Sequence, residues 1–253
     1  NKEVSVACDG YTTRTLKNVK FQAYGGQILG LTGLEGNGQL DLLQDIFQKA
    51  KKKVSGMQVN GAVAYVAGDR KKEGIFPLWS IEDNQVITKA AKSGMLKYLS
   101  REWLESSVDY WYDKLHIKSD GKDALITSLL GGNQQKVLIA RALVADADII
   151  LLDDPTRGVD QPTKNALYEL FREAATEGKL IIWRTSDDAE LEFCTNLLVL
   201  NHGEVVGSFA GGHVDREKIM SLAFENHETK AEKEEEHKRF HPPLFTFALI
   251  AMV

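Results

Sequence analysis

Only two cysteines occur in the 253 residues, Cys8 and Cys194, with no metal-type spacing between them and no disulfide framework. That excludes a disulfide-stapled scaffold and a thiolate metal site, and both side chains are expected as buried thiols in a reducing compartment. An excess of positive charge is also missing. Lys and Arg number 31 against 36 Asp and Glu, a formal net charge of −5, and no dense basic run interrupts the folded part. Nothing therefore calls for nucleic acid as a partner. The first residues, Asn1 to Cys8, alternate like a strand and carry no signal-peptide pattern. Long apolar runs are scarce as well. The ten residues 244–253 are apolar after Pro242-Pro243, whereas a helix needs about twenty to span a bilayer.

What is present is enough apolar sequence, 43% of the chain, for one large domain or a core domain with subdomains. Its organising stretch is Ile150-Leu151-Leu152-Asp153-Asp154-Pro155-Thr156-Arg157-Gly158-Val159-Asp160. An apolar run before two carboxylates reads as a strand buried on both faces, delivering charge at its carboxyl end, where open α/β sheets bind ligands. Gln27 to Thr32 is a second such strand, and it runs into Gly33-Leu34-Glu35-Gly36-Asn37-Gly38-Gln39-Leu40. From there Leu40, Leu43, Ile46 and Phe47 recur at helical spacing. Strand, glycine-rich loop and helix is the layout of a phosphate-binding P-loop, in which backbone N–H groups approach phosphate oxygens. Glycine patterns of this kind are common, and Gln39 and Leu40 stand where the full motif requires Lys and Ser or Thr.

Around these segments the chain reads as follows. Glu3 to Cys8 and Leu16 to Ala23 are strands joined by a turn at Asp9-Gly10, and Ala62 to Val66 is another strand. Lys71 to Gly74 is a charged loop. Ile81 to Ala91 and Tyr98 to Leu115 are helical, with Trp103, Trp111 and Leu115 as candidate core positions and Trp79 expected to pack. Ser128 to Lys136 opens a helix through Ala145, and Gly131-Gly132 at its start permits close backbone approach near its positive end. Gln161 to Glu177 is a helix, and Lys179 to Trp183 a strand ending in the polar run Arg184 to Glu190. Asn196 to Leu200 and Glu204 to Phe209 close the sheet before a last helix, Asp215 to Glu225. Residues 226–238 turn to Glu, Lys and His without an apolar stripe, a solvated linker.

Four segments in this order resemble the nucleotide-binding domains of ABC transporters: Gly33–Leu40, Gly131–Lys136, Ile150–Asp154 and Gly158–Asp160. The resemblance covers nearly the whole chain to about Phe224. It is nearest to the second of the two tandem ATPase domains of ribose/xylose/galactose-type sugar importers, through Gly68–Gly74, Gly131–Lys136 and Asp154–Asp160. It implies an α/β fold, a P-loop NTPase core of ABC type with a small antiparallel β subdomain and a helical insertion at roughly 81–145. The domain would span 1–225, with a charged linker at 226–243 and an apolar tail at 244–253 that reads either as the start of a truncated transmembrane helix or as a tail that docks elsewhere. A fragment of a longer protein, with a permease fused downstream, is the corresponding expectation.

By position, the resemblance assigns Gly33, Gly36, Asn37, Gly38 and Gln39 to the phosphate loop of an ATP site. Tyr11 would lie against adenine, although an ordinary turn tyrosine is nearly as good a reading. Asp153 would be the Walker B aspartate that holds Mg²⁺, directly or through water. Asp154 replaces the usual catalytic glutamate, Ser186 the switch histidine, and Gly68 the glutamine that senses γ-phosphate. Asp160 would be the D-loop aspartate. Leu130, Gly131, Gly132, Asn133 and Gln134 would form the signature loop that closes on ATP held by a partner domain, with Leu130 in place of the usual serine.

The substitutions strip this domain's own site of most of its hydrolytic charge, and phosphoryl transfer depends chiefly on positioning and charge stabilisation. Asp154 is also a methylene shorter than Glu, which displaces a reacting group. The expected role is the hydrolysis-poor half of an ATPase pair at the cytoplasmic face of a membrane. Its implied partners are an ATPase domain with intact Walker motifs, a membrane permease and, indirectly, an extracytoplasmic sugar-binding protein. A nucleoside importer is the near alternative, because the permease and binding protein choose the substrate. A pseudo-ATPase module is a second alternative, and a soluble ABC ATPase of translation or DNA repair the least supported.

Overall fold

The computed structural model describes residues 3–92, 100–185, 187–211 and 215–224. Ser186, the linker and the apolar tail lie outside them. Two sheets organise the chain. The smaller is antiparallel, in the order β2 (Val19–Tyr24), β1 (Val4–Tyr11), β4 (Met57–Val59). The larger has six strands in the order β5 (Val63–Val66), β6 (Ile149–Asp153), β7 (Leu180–Arg184), β3 (Ile28–Thr32), β8 (Asn196–Asn201), β9 (Glu204–Ala210). All its pairings are parallel except β8 with β9. Antiparallel subdomain and mostly parallel core match the architecture expected from the motifs.

The continuously apolar strands are those buried on both faces. β3 and β6 are buried along their whole length, and their residues alternate between two cores. Ile150 and Leu152 of β6, with Ile181 and Trp183 of β7, face the core shared with α4 (Gly131–Val144) and α5 (Gln161–Thr176). Ile149 and Leu151, with Leu180 and Ile182, face the core shared with α1 (Gln39–Lys49) and the small sheet. The two helices α2 (Ile81–Lys92) and α3 (Arg101–Lys114) pack beside α4, and α6 (Arg216–Phe224) lies against β8 and β9. Among the described residues no helix is long and apolar enough to cross a membrane.

Several local expectations are corrected. Asp9-Gly10 is not a turn. It is an irregularity inside β1, where the register shifts and Gly10 takes φ 73°, a bulge carrying the same glycine signal as a turn. β4 is three residues long and has too little pattern to be seen in sequence. In α1 the buried row is Gln39, Leu42, Leu43 and Ile46, while Leu40 and Phe47 point outward. Trp79 is exposed and stacks on Phe76. Leu115 is buried, whereas Trp103 and Trp111 are only partly so. Both cysteines are free and buried, and burial pushes each thiol up to about 12.

One half-buried cation ties α4 to α2 and to the turn after β5. Arg141 on α4 donates to the carbonyls of Asn84 and Gly74 (2.6 Å for the latter) and to Asn84 Oδ1 at 2.9 Å. Its partners are neutral, and burial pushes the guanidinium down to about 10. Asn84 in turn accepts from the Phe76 amide and donates to the Phe76 and Ser80 carbonyls, so the chain between β5 and α2 has a defined path.

Trp183 tests the core. It is fully buried against Tyr168 and Phe171, but its indole N–H has no partner. Trp183→Ala is expected to cost about 3–5 kcal/mol through the cavity it leaves. Trp183→Phe removes an unsatisfied donor together with some volume, and is expected to cost under about 1.5 kcal/mol. Urea unfolding of the two variants checks the difference; equal losses would contradict it.

Candidate functional site

The adjacent strands β3, β6 and β7 bring three chain segments to one sheet end. Parallel pairing sets Leu31 opposite Arg184 and Asp153 opposite Arg184. The loop after β3, the carboxylates after β6 and the residues after β7 therefore converge where α/β sheets hold ligands. A cavity of about 250 Å³ opens there, lined by Gly33, Glu35, Gln39, Asp154, Arg157 and Arg184, among others.

The loop from Gly33 to Gly38 is held from several sides. Gly33 has φ 135°, and a Cβ there would lie 2.2 Å from the Leu200 carbonyl oxygen, so no side chain fits. The Asn37 amide donates to the Leu34 carbonyl at 3.1 Å, the Gly203 amide donates to the Asn37 carbonyl at 3.1 Å, and Asn37 Nδ2 donates to Asn201 Oδ1 at 3.2 Å. Gly38 then caps α1, whose first turn offers N–H groups suited to an anion. Gln39 is 5% exposed, and its Nε2 donates back to the Leu34 carbonyl at 3.1 Å. Its amide thus stabilises the loop from within, where a lysine would have carried charge outward. Leu40 brings an outward apolar group and no hydroxyl.

Asp153 and Asp154 are both buried, and both pair with Arg184. Arg184 Nε donates to Asp153 Oδ1, and its Nη2 donates to Asp154 Oδ2 at 3.0 Å. Burial alone would lower the Arg184 guanidinium; the two carboxylates more than offset it and hold it above the ordinary arginine range. The other oxygen of Asp153 accepts the Gly68 amide at 3.2 Å and is 3.5 Å from the Tyr65 hydroxyl. Burial and the Asp153 charge push Tyr65 up, so it stays a donor. A Cβ on Gly68 would lie 2.6 Å from Asp153 Oδ2, which leaves no room for a glutamine at this position. Asp154 sits in the left-handed region at φ 41°, its amide bonded to the Arg184 carbonyl at 2.9 Å.

These contacts bear on the metal expected at Asp153. Both its oxygens are engaged by protein donors, its neighbour's Oδ2 is held by the same guanidinium, and the loop has no hydroxyl at Leu40. Among the described residues no group of three His, Cys, Asp or Glu side chains could hold a metal ion. The side chains as placed do not fit Mg²⁺.

The remaining predicted residues lie beyond this cavity's rim or within the frame. Leu130 is 81% exposed and opens α4 without a side-chain cap. Gly131 and Gly132 follow in its first turn, so backbone donors face outward as a signature loop requires. Asn133 Oδ1 accepts from the Lys118 amide at 3.3 Å, and Gln134 is buried, donating to the Ile126 and Leu129 carbonyls. These two set the loop's shape from behind. Asp160 caps α5 by accepting from the Thr163 amide and hydroxyl, each at 3.0 Å, and these bonds lower its carboxyl below the ordinary range. Tyr11 departs from expectation. It is 1% exposed, donates to Asp45 Oδ2 at 2.9 Å and lies under Lys49. Its ring belongs to the core of the small sheet and offers no face to adenine. Ser186 is outside the described residues.

Three further residues organise the site without having been singled out in sequence. Arg184 was visible only as a charge ending an apolar strand; its importance depends on strand register. Arg70 donates to the Arg157 carbonyl at 3.1 Å and so links the charged turn after β5 to the turn after β6. Glu190, 1% exposed, accepts from the hydroxyls of Thr156, Tyr168 and Thr185 and from Lys164 at 3.2 Å. One buried carboxylate thereby joins the turn after β6 to the segment after β7.

Comparison with known proteins agrees with this layout. The ABC transporter family matches residues 16–157, more than half of the chain. A protein named ribose import ATP-binding protein RbsA, from Clostridium tetani, is 33% identical over 229 residues, covering 83% of this chain and 45% of its own length. A galactose/methyl galactoside import ATP-binding protein MglA from Fusobacterium nucleatum is 31% identical, covering 83% of this chain and 45% of its own length. The chain thus spans about half the length of the curated relatives it matches. Among solved structures, a dimeric ATP-binding cassette in a post-hydrolysis state with ADP and Pi superposes with a TM-score of 0.69 at 21% identity, covering 81% of this chain and 98% of that one. The ordered motifs, the two-sheet fold and these matches together place the chain in the ABC transporter family, as one of its ATP-binding domains.

Proposed function

We propose that this domain serves an ATP-driven sugar importer as the hydrolysis-poor half of an ATPase pair, at the cytoplasmic face of the membrane. The observation that carries this reading is the state of the cavity. Gln39 is folded onto its own loop, Leu40 lacks a hydroxyl, and Asp153 and Asp154 are both tied to Arg184. A site whose carboxylates are tied up and whose loop lacks the lysine and the hydroxyl is a poor catalyst. The start of α4, in contrast, keeps its backbone donors without a side-chain cap, and Gln134 holds the segment before it in place. Such a loop suits ATP bound by a second ATPase domain with intact motifs. The names of the similar proteins point to ribose or galactose as cargo, with a permease and a sugar-binding protein as the remaining partners; a nucleoside importer would use the same domain. A pseudo-ATPase reading, in which nucleotide does not bind at all, is favoured by the engagement of both carboxylates.

Calorimetric titration of the full chain with ATP and ADP, alongside a phosphate-release assay, separates these readings. Binding without turnover above background is expected; no binding at millimolar nucleotide would favour the pseudo-ATPase. Gln39→Lys with Leu40→Ser is expected to raise turnover by less than about tenfold, because Asp153 remains engaged by Arg184. A larger gain in the phosphate-release assay would locate the whole defect in the loop. In the assembled pair, Gly132→Asp should lower ATP turnover roughly a hundredfold by placing negative charge against the partner's phosphates. Unchanged turnover would remove the signature loop from the mechanism.

A further inference from the structure

We propose that Arg184 is the resident cation of this nucleotide site, and that the site takes the phosphates of a nucleotide without a divalent metal. The inference rests on the nucleotide-binding reading above. Arg184 ends β7 directly beside Asp153 in the sheet register, and its guanidinium spans both carboxylates while lining the cavity. A divalent ion at Asp153 would have to displace this arm or sit beside it against like charge. Displacement would leave a guanidinium without its partners in a partly buried place, its side chain being 19% exposed.

The guanidinium has more N–H donors than its two carboxylate bonds use, and it is planar and permanently charged, which suits phosphate oxygens. Arg157 lines the same cavity, as do Glu35 and Asp154. Two guanidinium groups thus face two lining carboxylates, with Asp153 behind Arg184 as a third. The backbone donors at the start of α1 add partial positive charge opposite Arg184. A phosphate held between these two sources needs no metal bridge. Arg184 thus stands where the loop lysine and the dication would otherwise face the phosphates.

The test is calorimetric titration of the full chain with ADP and ATP in EDTA and again in excess Mg²⁺, for wild type, Arg184→Met and Arg184→Lys. Manganese binding, followed by its paramagnetic resonance signal, provides a direct metal readout. Wild type is expected to show affinities in EDTA and Mg²⁺ within about threefold of each other, with no manganese retained. Arg184→Met should bind at least about tenfold more weakly in EDTA and become metal-dependent. Arg184→Lys should recover part of the metal-free binding. A Mg²⁺ gain of about tenfold or more in wild type would overturn the inference and leave the nucleotide-binding reading intact. Binding in neither condition would overturn both. Should Arg184→Met fail to fold, the wild-type comparison and Arg184→Lys decide the matter.

Discussion

The pairing of β6 with β7 sets one residue opposite another, Asp153 beside Arg184, and much of the site follows from that adjacency. Two consecutive carboxylates at a buried strand end repel one another and lose hydration. A guanidinium delivered by the neighbouring strand answers both costs. With Asp153 held on one side by Arg184, its second oxygen turns to the Gly68 amide and the Tyr65 hydroxyl. The chain after β5 is thereby anchored to the end of β6. A register slip of one residue would move every side chain of β7 to the other face, removing Arg184 from the carboxylates and Trp183 from its core together.

Legibility in sequence followed the physics of each feature. β3, β6 and β7 were plain because burial on both faces demands unbroken apolar runs, and the loop after β3 because left-handed or crowded backbone demands glycine. α5, read as Gln161 to Glu177, was bounded to within a residue of its extent in the fold. What could not be read was set by tertiary contact. Arg184 looks like any charge closing a strand until its neighbour is known. Tyr11 occupies a position at which an exposed ring and a buried ring produce the same local pattern. The outward turn of Leu40 and the inward turn of Leu42 both fit an amphipathic helix with its stripe shifted by one step.

Two buried polar hubs divide the labour of holding the motifs. Glu190 gathers hydroxyls and Lys164 at the ends of β6 and β7, so the turn carrying Thr156 and the segment carrying Thr185 move together or not at all. Arg141 does the corresponding work for the helical segment using neutral acceptors. Fully bonded networks of this kind rigidify the elements they join. Between the hubs, Arg70 is a link that crosses from the turn after β5 to the turn after β6. The helical segment, the turn after β5 and the turn after β6 are thus mounted on rigid supports.

The tight approach at Gly68 also constrains how such a site could change. A side chain there would collide with the Asp153 carboxylate, and that carboxylate cannot swing away while Arg184 holds it. Introducing glutamine at Gly68 is therefore obstructed until Arg184 is replaced. Replacing Arg184 alone takes the shared cationic partner from two buried carboxylates. Each single step passes through a less stable protein, so the pair works as a ratchet: the order of substitutions matters, and changing them one at a time leads uphill.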